Sequence, residues 1–213
     1  LARRAAEWIV ERTRAGVAAR GSCSVALAGG GTPRATYEVL GTSALAAAVP
    51  WGAIDWFFGD ERAVPFDHPD SNYRLAAESL FAGRPEALAR ACRMPADAAD
   101  AEVAARAYGQ LLPDPLDVVI LGMGEDGHTA SLFPGSPALD ERVQGSVDGG
   151  RADPRAYLLE AALDSLDGKV FVGLEEDPRD QGALRCDGKA MISQVPVESF
   201  EEAGRLLTTE MRH

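Results

Sequence analysis

The segment SVALAGGGTPRATYEVL, residues 24–40, carries the clearest structural signal in this chain. A short run of small and apolar residues stops at three glycines, and a Thr-Pro pair that suits the first turn of a helix comes next. The segment therefore predicts a strand, a glycine loop and a helix, in that order.

Two further apolar runs, residues 54–58 and 116–121, also end in polar segments that contain glycine. Helical patterns lie between them near residues 73–81 and 98–112, and another covers residues 2–20. Apolar strands that alternate with helices are typical of a parallel sheet covered on both faces. We predict an α/β fold with an open, doubly wound, mainly parallel sheet, helices on both faces and right-handed crossovers.

The last third of the chain is less regular. Its patterns predict a helix at 156–166, a strand at 169–174, a loop at 177–187 and an amphipathic helix at 199–211. Because no linker is long enough to divide the chain, we expect a single α/β domain over residues 1–213 with an atypical tail at 140–213.

The composition is that of an ordinary globular protein, with 46% hydrophobic and 25% charged residues among 213. No apolar run approaches the roughly 18 to 20 residues that cross a bilayer, and the first residues lack the apolar centre of a secretory signal. We therefore expect a cytoplasmic protein with no membrane partner. The sequence leaves its assembly open between a monomer and a small homo-oligomer.

The formal net charge of −12 repels polyanions, so we expect no nucleic-acid partner and a locally built site for any anionic ligand. The three cysteines, Cys23, Cys92 and Cys186, lie far apart without a CxxC pair, and only three histidines are present. This pattern argues against a disulfide framework and a zinc site, so we expect free thiols and no metal, although carboxylates alone could hold Mg²⁺.

The three apolar runs are followed by three polar motifs, which are GGGTP at 29–33, GDER at 59–62 and GMGEDGHTAS at 122–131. In an open parallel sheet the carboxyl ends of the strands share one edge, where loops diverge and helix N-termini offer free N–H groups. We therefore expect the three motifs to form one composite ligand site.

The glycine motif can bring backbone N–H groups close to a phosphate, and Thr32 adds a hydroxyl. It has neither the lysine of a Walker loop nor the GxGxxG spacing, so it does not imply a nucleotide. A plain tight turn would use the same glycines, and this alternative stays open.

In the second motif, Arg62 could bind a phosphate with two parallel hydrogen bonds, and Asp60 could hold a proton or a sugar hydroxyl. The alternative is a surface cluster of salt bridges, as runs of charge usually are. Downstream, we expect Asp70 or Ser71 to cap the following helix.

His128 follows a predicted buried strand directly and stands two residues after Asp126, among glycines that would admit a ligand. Since imidazole titrates near about 6.5, His128 is the natural base for activating water. A hydrogen-bonded or solvated loop histidine is the alternative.

No GxSxG elbow surrounds Ser131, so we expect it to cap a helix. We expect His68 to be solvated.

Three segments, residues 27–40, 51–81 and 116–139, resemble the 6-phosphogluconolactonase family of the glucosamine-6-phosphate isomerase/6-phosphogluconolactonase superfamily. They cover most of the first two thirds of the chain in the family's order. The resemblance implies a carboxylic ester hydrolase of carbohydrate metabolism, in the pentose phosphate pathway. Its substrate would be a phosphorylated sugar lactone, 6-phospho-D-glucono-1,5-lactone, which it would open to 6-phosphogluconate without a cofactor.

The resemblance also implies roles for individual residues. His128 would be the base, supported by Asp126, and Asp60 would lie near the sugar ring. The phosphate would be bound by Gly30, Gly31, Thr32 and Arg62. The family pattern fades after Leu139, apart from an echo at residues 187–190, which would make Lys189 a second phosphate cation. An exposed lysine in a turn is the alternative there.

Two other functions remain. A glucosamine-6-phosphate deaminase or isomerase would prefer Asp-Glu-Tyr at 60–62 and a Phe-Asn-Glu-Pro-like segment at 131–134, where this chain has Asp-Glu-Arg and Ser-Leu-Phe-Pro. A non-catalytic sugar-phosphate sensor in a transcription regulator would carry a basic helix-turn-helix, and none precedes Leu27. A lactonase relative that binds sugar phosphate without turnover also stays open.

Overall fold

The computed structural model describes residues 1–42, 44–113, 116–124, 128–133, 157–158 and 170–174. Helix α1 spans Ala2–Arg20 and ends at Gly21, whose φ of 82° is left-handed and whose N–H donates to Val17 O. Strand β1 (Cys23–Leu27) and helix α2 (Gly31–Thr42) come next. The predicted sequence of strand, glycine loop and helix is confirmed.

The remaining helices are α3 (Asn72–Ser79), α4 (Pro85–Leu88) and α5 (Ala101–Gly109), with 3-10 helices at Ala44–Ala48 and Trp51–Ala53. The remaining strands are β2 (Ile54–Phe58), β3 (Asp60–Glu61), β4 (Val118–Met123), β5 (Tyr157–Leu158) and β6 (Val170–Leu174). The predicted first helix and second strand are confirmed residue by residue. The predicted helices at 73–81 and 98–112 form, but over shorter ranges. Helix α4, the 3-10 helices and β3 are too short for a periodic pattern to reveal them.

Four strands form a parallel sheet in the order β2-β1-β4-β6. The chain passes from β1 to β2 on one side, and β4 then pairs with the other side of β1. This reversal is where open α/β sheets bind ligands, beyond the carboxyl ends of the strands. The predicted α/β fold with a parallel sheet is confirmed, while its complete doubly wound connectivity and its right-handed crossovers stay predictions.

Each face of the sheet carries its own hydrophobic cluster. Val25 and Leu27 of β1 pack in a cluster with residues of α1, α2 and α3. Ala26 points to the other face, where it shares a cluster with Ala105 and Tyr108 of α5. Since helices cover both faces, all five residues of β1 are buried, which explains why the sequence shows a continuous apolar run there instead of an alternating one.

At the amino ends of β1 and β4, the side chain of Asp117 joins the two strands. Its Oδ2 accepts from Ser24 N at 2.8 Å and from Ser24 Oγ at 3.1 Å, and its own N–H donates to Ser24 Oγ at 2.9 Å. Arg20 at the end of α1 forms an ion pair with the same carboxylate. These contacts fix the two central strands at the edge opposite to the polar motifs.

Strand β5 lies inside the predicted helix at 156–166, so that prediction is wrong at Tyr157 and Leu158. These residues pair antiparallel with β3, and the main-chain hydrogen bonds of that pairing override the local helical pattern. Strand β6 confirms the predicted strand at 169–174. The predicted loop at 177–187 and helix at 199–211 lie outside the described residues, so the single domain over residues 1–213 stays a prediction.

Among the described helices, none is both long and apolar enough to span a membrane. Cys23 and Cys92 are free thiols, and Cys186 lies outside the described residues.

Candidate active site

A cleft of about 230 Å³ opens at the carboxyl ends of β1, β2 and β4. Its volume lies just below the ~300 to 1,000 Å³ that is usual for small-molecule sites. Each of the three polar motifs contributes to its lining, with Gly29, Gly30, Asp60, Arg62, Gly122 and His128 among the residues. Residues that lie about 100 positions apart in the sequence thus meet around one small space.

The glycine loop joins β1 to α2. Gly30 has a φ of 101°, a conformation that glycine adopts at little cost. Gly30 and Pro33 line the cleft, whereas Gly31 and Thr32 lie in the first turn of α2 and are not among its lining residues. The first N–H groups of a helix have no partner within the helix, so this turn suits an anion.

Two buried tyrosines hold the strand ends from which the loops depart. The hydroxyl of Tyr37 in α2 donates to Ala28 O and accepts from Ala28 N, both at 2.9 Å. In the same way the hydroxyl of Tyr108 in α5 accepts from Phe58 N at 2.8 Å. Their partners, Ala28 and Phe58, each directly precede a glycine that lines the cleft. The helices on the two faces thus fix the positions of the loops. Sequence reasoning missed this role because each tyrosine also fits an apolar helix face.

Asp60 is a buried carboxylate at the cleft, with 6% of its surface exposed. Asn72 Nδ2 donates to Asp60 Oδ1 at 3.2 Å and to Asp60 O at 3.0 Å, and Ser131 Oγ donates to Oδ2 at 2.8 Å. Burial raises the pKa of Asp60, while the Ser131 hydrogen bond and the nearby charges of Arg62 and His128 act in the opposite direction.

Glu61, which is 2% exposed, anchors the loop that leaves the cleft. Its carboxylate accepts from the backbone N–H groups of Arg62, Asn72 and Tyr73 at 2.7 to 2.9 Å and from Ser71 Oγ at 3.2 Å. Burial raises the pKa of Glu61, and the N–H donors oppose the rise. Since both acidic residues of the second motif are buried, the alternative of a surface salt-bridge cluster is wrong.

Ser71 caps α3, because its side chain accepts from Arg74 N at 3.2 Å. The cap expected at Asp70 or Ser71 is therefore confirmed for Ser71. Asp70 is exposed and its N–H donates to His68 Nδ1 at 3.2 Å.

Arg62 is half-buried in the lining of the cleft. Its positive charge lies close enough to Asp60 to oppose the rise in the pKa of that carboxyl. Within the described residues, no carboxylate lies in ion-pair distance of the Arg62 guanidinium, and Arg62 lines the cleft.

His128 is also half-buried, and its ring lies 4.6 Å from the ring of Phe133. Its carbonyl accepts from Gly124 N at 2.8 Å, which brings the imidazole back to the end of β4. His128 and Asp60 line the same cleft, and a positive charge on the imidazole, like that of Arg62, opposes the rise in the pKa of Asp60. Asp126, the expected support of His128, lies outside the described residues, as does Lys189.

The residues after His128 form a tight turn at the cleft. Leu132 N donates to Thr129 O at 2.9 Å, and Thr129 Oγ1 donates to Gly122 O at 2.8 Å. Ala130 lines the cleft with a φ of 49°, a left-handed conformation that costs a residue with a Cβ roughly 1 to 2 kcal/mol. Such strain is typical of functional sites.

Ser131 contacts the carboxylate of Asp60. The segment after Phe133 lies outside the described residues, so the helix cap expected at Ser131 stays a prediction. The hydroxyl of Ser131 donates to Asp60 Oδ2 because the topology brings the ends of β2 and β4 together across 71 positions of sequence. No local pattern signals such a contact.

The cleft thus combines the positive end of a helix and a guanidinium with a buried carboxylate and an imidazole. The cationic groups suit a small anion, and the imidazole suits the activation of water beside it. This set of groups can perform hydrolysis of a small anionic ligand.

A family model for glucosamine-6-phosphate isomerases/6-phosphogluconolactonase matches residues 1–155. The chain is 40% identical over 211 residues to the 6-phosphogluconolactonase of Rhizobium meliloti, covering 94% of this chain and 88% of that protein. It is 41% identical over 149 residues to the 6-phosphogluconolactonase of Synechocystis, and this match covers 65% of this chain. The match spans 60% of the Synechocystis protein, which is less than two thirds of its length.

Solved structures give the same result. The 6-phosphogluconolactonase of Shewanella baltica superposes with a TM-score of 0.69 at 29% identity, covering 83% of this chain and 77% of that one. The 6-phosphogluconolactonase of Trypanosoma brucei superposes with a TM-score of 0.63 at 32% identity, covering 81% and 77%. The described fold and the matched sequence thus point to the same group of proteins.

Proposed function

This chain belongs to the glucosamine-6-phosphate isomerase/6-phosphogluconolactonase family, and from that membership we propose that it hydrolyses 6-phospho-D-glucono-1,5-lactone to 6-phosphogluconate in the pentose phosphate pathway. The observation that carries the proposal is the single cleft that Gly30, Asp60, Arg62 and His128 line together. Relatives at about 40% identity that bear the name 6-phosphogluconolactonase support the choice of substrate.

In the proposed complex the substrate phosphate lies between the first turn of α2 and Arg62. The positive end of the helix and the guanidinium provide the local attraction that a chain of net charge −12 needs for an anionic ligand. Gly31, Thr32 and Lys189 are further candidates for this phosphate site. Binding the phosphate orients the lactone, so that its carbonyl carbon lies beside the imidazole.

The reaction then needs one base. His128 takes a proton from water as the water oxygen attacks the lactone carbonyl carbon, and N–H groups or a cation stabilise the oxyanion. When the bond between the carbonyl carbon and the ring oxygen breaks, the protonated imidazole returns the proton to the ring oxygen. The products are a hydroxyl and a carboxylic acid, which ionises. Asp60 accepts a hydrogen bond from a hydroxyl of the sugar, and Asp126 supports His128.

In this proposed function the chain acts in the cytoplasm as one sugar-phosphate-binding α/β domain. It uses neither a cofactor nor a macromolecular partner.

The test is the rate of proton release when the purified chain meets freshly made 6-phosphogluconolactone. We expect a rate well above spontaneous ring opening, and a much weaker effect on unphosphorylated glucono-1,5-lactone. A rate equal to the spontaneous one would contradict the proposal, and binding of 6-phosphogluconate by calorimetry in that case would support a role in binding alone. Release of ammonia from glucosamine 6-phosphate would instead support the deaminase alternative.

A further inference from the structure

Asp60 has a hydrogen-bond donor on each carboxylate oxygen. Asn72 Nδ2 lies 3.2 Å from Oδ1, and Ser131 Oγ lies 2.8 Å from Oδ2. Rotation of the carboxylate about its last side-chain bond would break one or both of these contacts. The two donors, one from α3 and one from the loop after β4, therefore hold the carboxylate in one orientation.

Ser131 belongs to the same turn as His128, which we call the histidine turn (residues 128–132). The hydrogen bonds of His128 O with Gly124 N and of Thr129 Oγ1 with Gly122 O tie this turn to the end of β4. The turn also closes on itself through Leu132 N and Thr129 O. Hence the bond from Ser131 to Asp60 links the loop that carries the imidazole to the strand end that carries the carboxylate.

Ser131 and Asp60 are both buried, with 5% and 6% of their surfaces exposed. A buried carboxylate loses several favourable contacts with water, so each donor that replaces them matters more than a surface hydrogen bond would. An alanine in place of Ser131 would leave Oδ2 without its donor from the histidine turn.

We propose that Ser131 is a positioning residue for the hydrolysis, whose hydroxyl fixes Asp60 Oδ2 and so sets the placement of the Asp60 carboxylate relative to the His128 imidazole. The catalytic part of this inference rests on the proposed function. The contact itself rests on the described geometry alone.

The hydrogen bond from Ser131 affects the titration of Asp60. Among the described residues, the groups that face the carboxylate are the side-chain amide of Asn72, the hydroxyl of Ser131 and the charges of Arg62 and His128. The Asp60 charge also acts on the buried hydroxyl of Tyr37 on α2, whose pKa is raised first by burial and further by that charge. The donated hydrogen bond from Ser131 favours the ionised form. Its removal moves the pKa of Asp60 upward, whereas the removal of a serine that merely fills space leaves it unchanged.

The first experiment measures this titration by carbon NMR in the full chain, with labelled aspartate carboxyls and Asp60→Asn to assign the signal. We expect Ser131→Ala to move the Asp60 titration to higher pH. Ser131→Thr keeps the hydroxyl and should titrate near the wild type. Ser79→Ala is the matched control, since Ser79 is a buried serine in α3 whose hydroxyl donates to Leu75 O. An unchanged titration in Ser131→Ala would overturn the proposal.

The second experiment measures lactone hydrolysis as a function of pH. We expect Ser131→Ala to lower kcat about 10- to 100-fold with a small change in KM, because a hydrogen bond to a charged group is lost. The acidic limb of its pH profile should move to higher pH, Ser131→Thr should restore most of the rate, and Ser79→Ala should change neither. If Ser131→Ala does not fold, Ser131→Cys, which keeps the volume with a weak donor, takes its place.

The two experiments separate the possible failures. An inactive wild-type chain would contradict the proposed function, while the NMR titration would still decide the contact between Ser131 and Asp60. An active wild type whose Ser131→Ala variant keeps its rate and its pH profile would show that Ser131 does not position the site.

Discussion

Asn72 lies directly against Gly29, so that a Cβ at residue 29 would stand 1.9 Å from Asn72 Oδ1. The same Asn72 side chain donates to the carbonyl and to the carboxylate of Asp60 through Nδ2. The missing side chain of Gly29 is therefore what allows the glycine loop, the start of α3 and the acidic motif to meet.

Gly29→Ala should force Asn72 away from Asp60. We expect the free energy of unfolding to fall by about 1 to 3 kcal/mol, as for other overpacked sites, and the lactonase rate to fall with it. Urea unfolding and the proton-release assay measure both. Gly109→Ala is the control, because a Cβ at that helical position meets nothing within 4 Å. Should Gly29→Ala cost as much in an Asn72→Ala background, the assigned clash would be wrong.

Arg62→Ala should weaken binding of the phosphorylated substrate. Since the variant loses a charge-assisted contact, we expect KM for 6-phosphogluconolactone to rise about 10- to 100-fold, with little change toward unphosphorylated glucono-1,5-lactone. Steady-state kinetics on both lactones measure the effect. Arg93→Ala removes another half-buried arginine, which pairs with Asp97 at 2.8 Å outside the cleft, and should leave KM unchanged. Equal losses on both lactones would contradict a phosphate contact.

His128→Ala should lower kcat about 100- to 10,000-fold, the usual contribution of general base catalysis, with a modest change in KM. Stopped-flow proton release gives kcat, and calorimetry with 6-phosphogluconate shows whether binding survives. His68→Ala replaces an exposed histidine on another loop and should keep the wild-type rate. Full activity in His128→Ala would disprove the assignment of the base.

Asp60→Asn should change how stability depends on pH. Burial raises the pKa of Asp60 above its ordinary value of 3.8, so the folded chain binds this proton more tightly than the unfolded chain. Its contribution to the free energy of unfolding is therefore present below pH 3.8 and is lost as pH rises toward the folded pKa. An asparagine does not ionise, so Asp60→Asn lacks this loss of stability. In the wild type the loss amounts to about 1.4 kcal/mol for each unit by which folding raises the pKa.

Urea unfolding of wild type and Asp60→Asn at several pH values between 4 and 8 measures that difference. Asp55→Asn is the control, since Asp55 is half exposed, pairs with Arg90 and does not line the cleft. Parallel pH curves for wild type and Asp60→Asn would contradict a raised pKa.

The sequence predicted the elements whose signals are local. The apolar run of β1, the glycines after it and the family resemblance required only neighbouring residues, and the resemblance is confirmed by the matched family model. The contact of Ser131 with Asp60 and the pairing of β5 with β3 depend on segments that meet only in the folded chain, so they were missed. Asp126 and Lys189 stay predictions.

The carboxylate of Glu61 accepts from the N–H of Arg62, where the loop 62–71 begins, and from those of Asn72 and Tyr73, just after the loop ends. One carboxylate thus joins the two ends of this mostly exposed loop. Because doubling the length of a flexible loop costs only about 0.6 kcal/mol, its tip can be lengthened or replaced without disturbing the acidic motif beneath it. The tip between Ala63 and Asp70 is therefore the natural place to graft a peptide tag or a fluorescent reporter, and to look for variation in length among relatives.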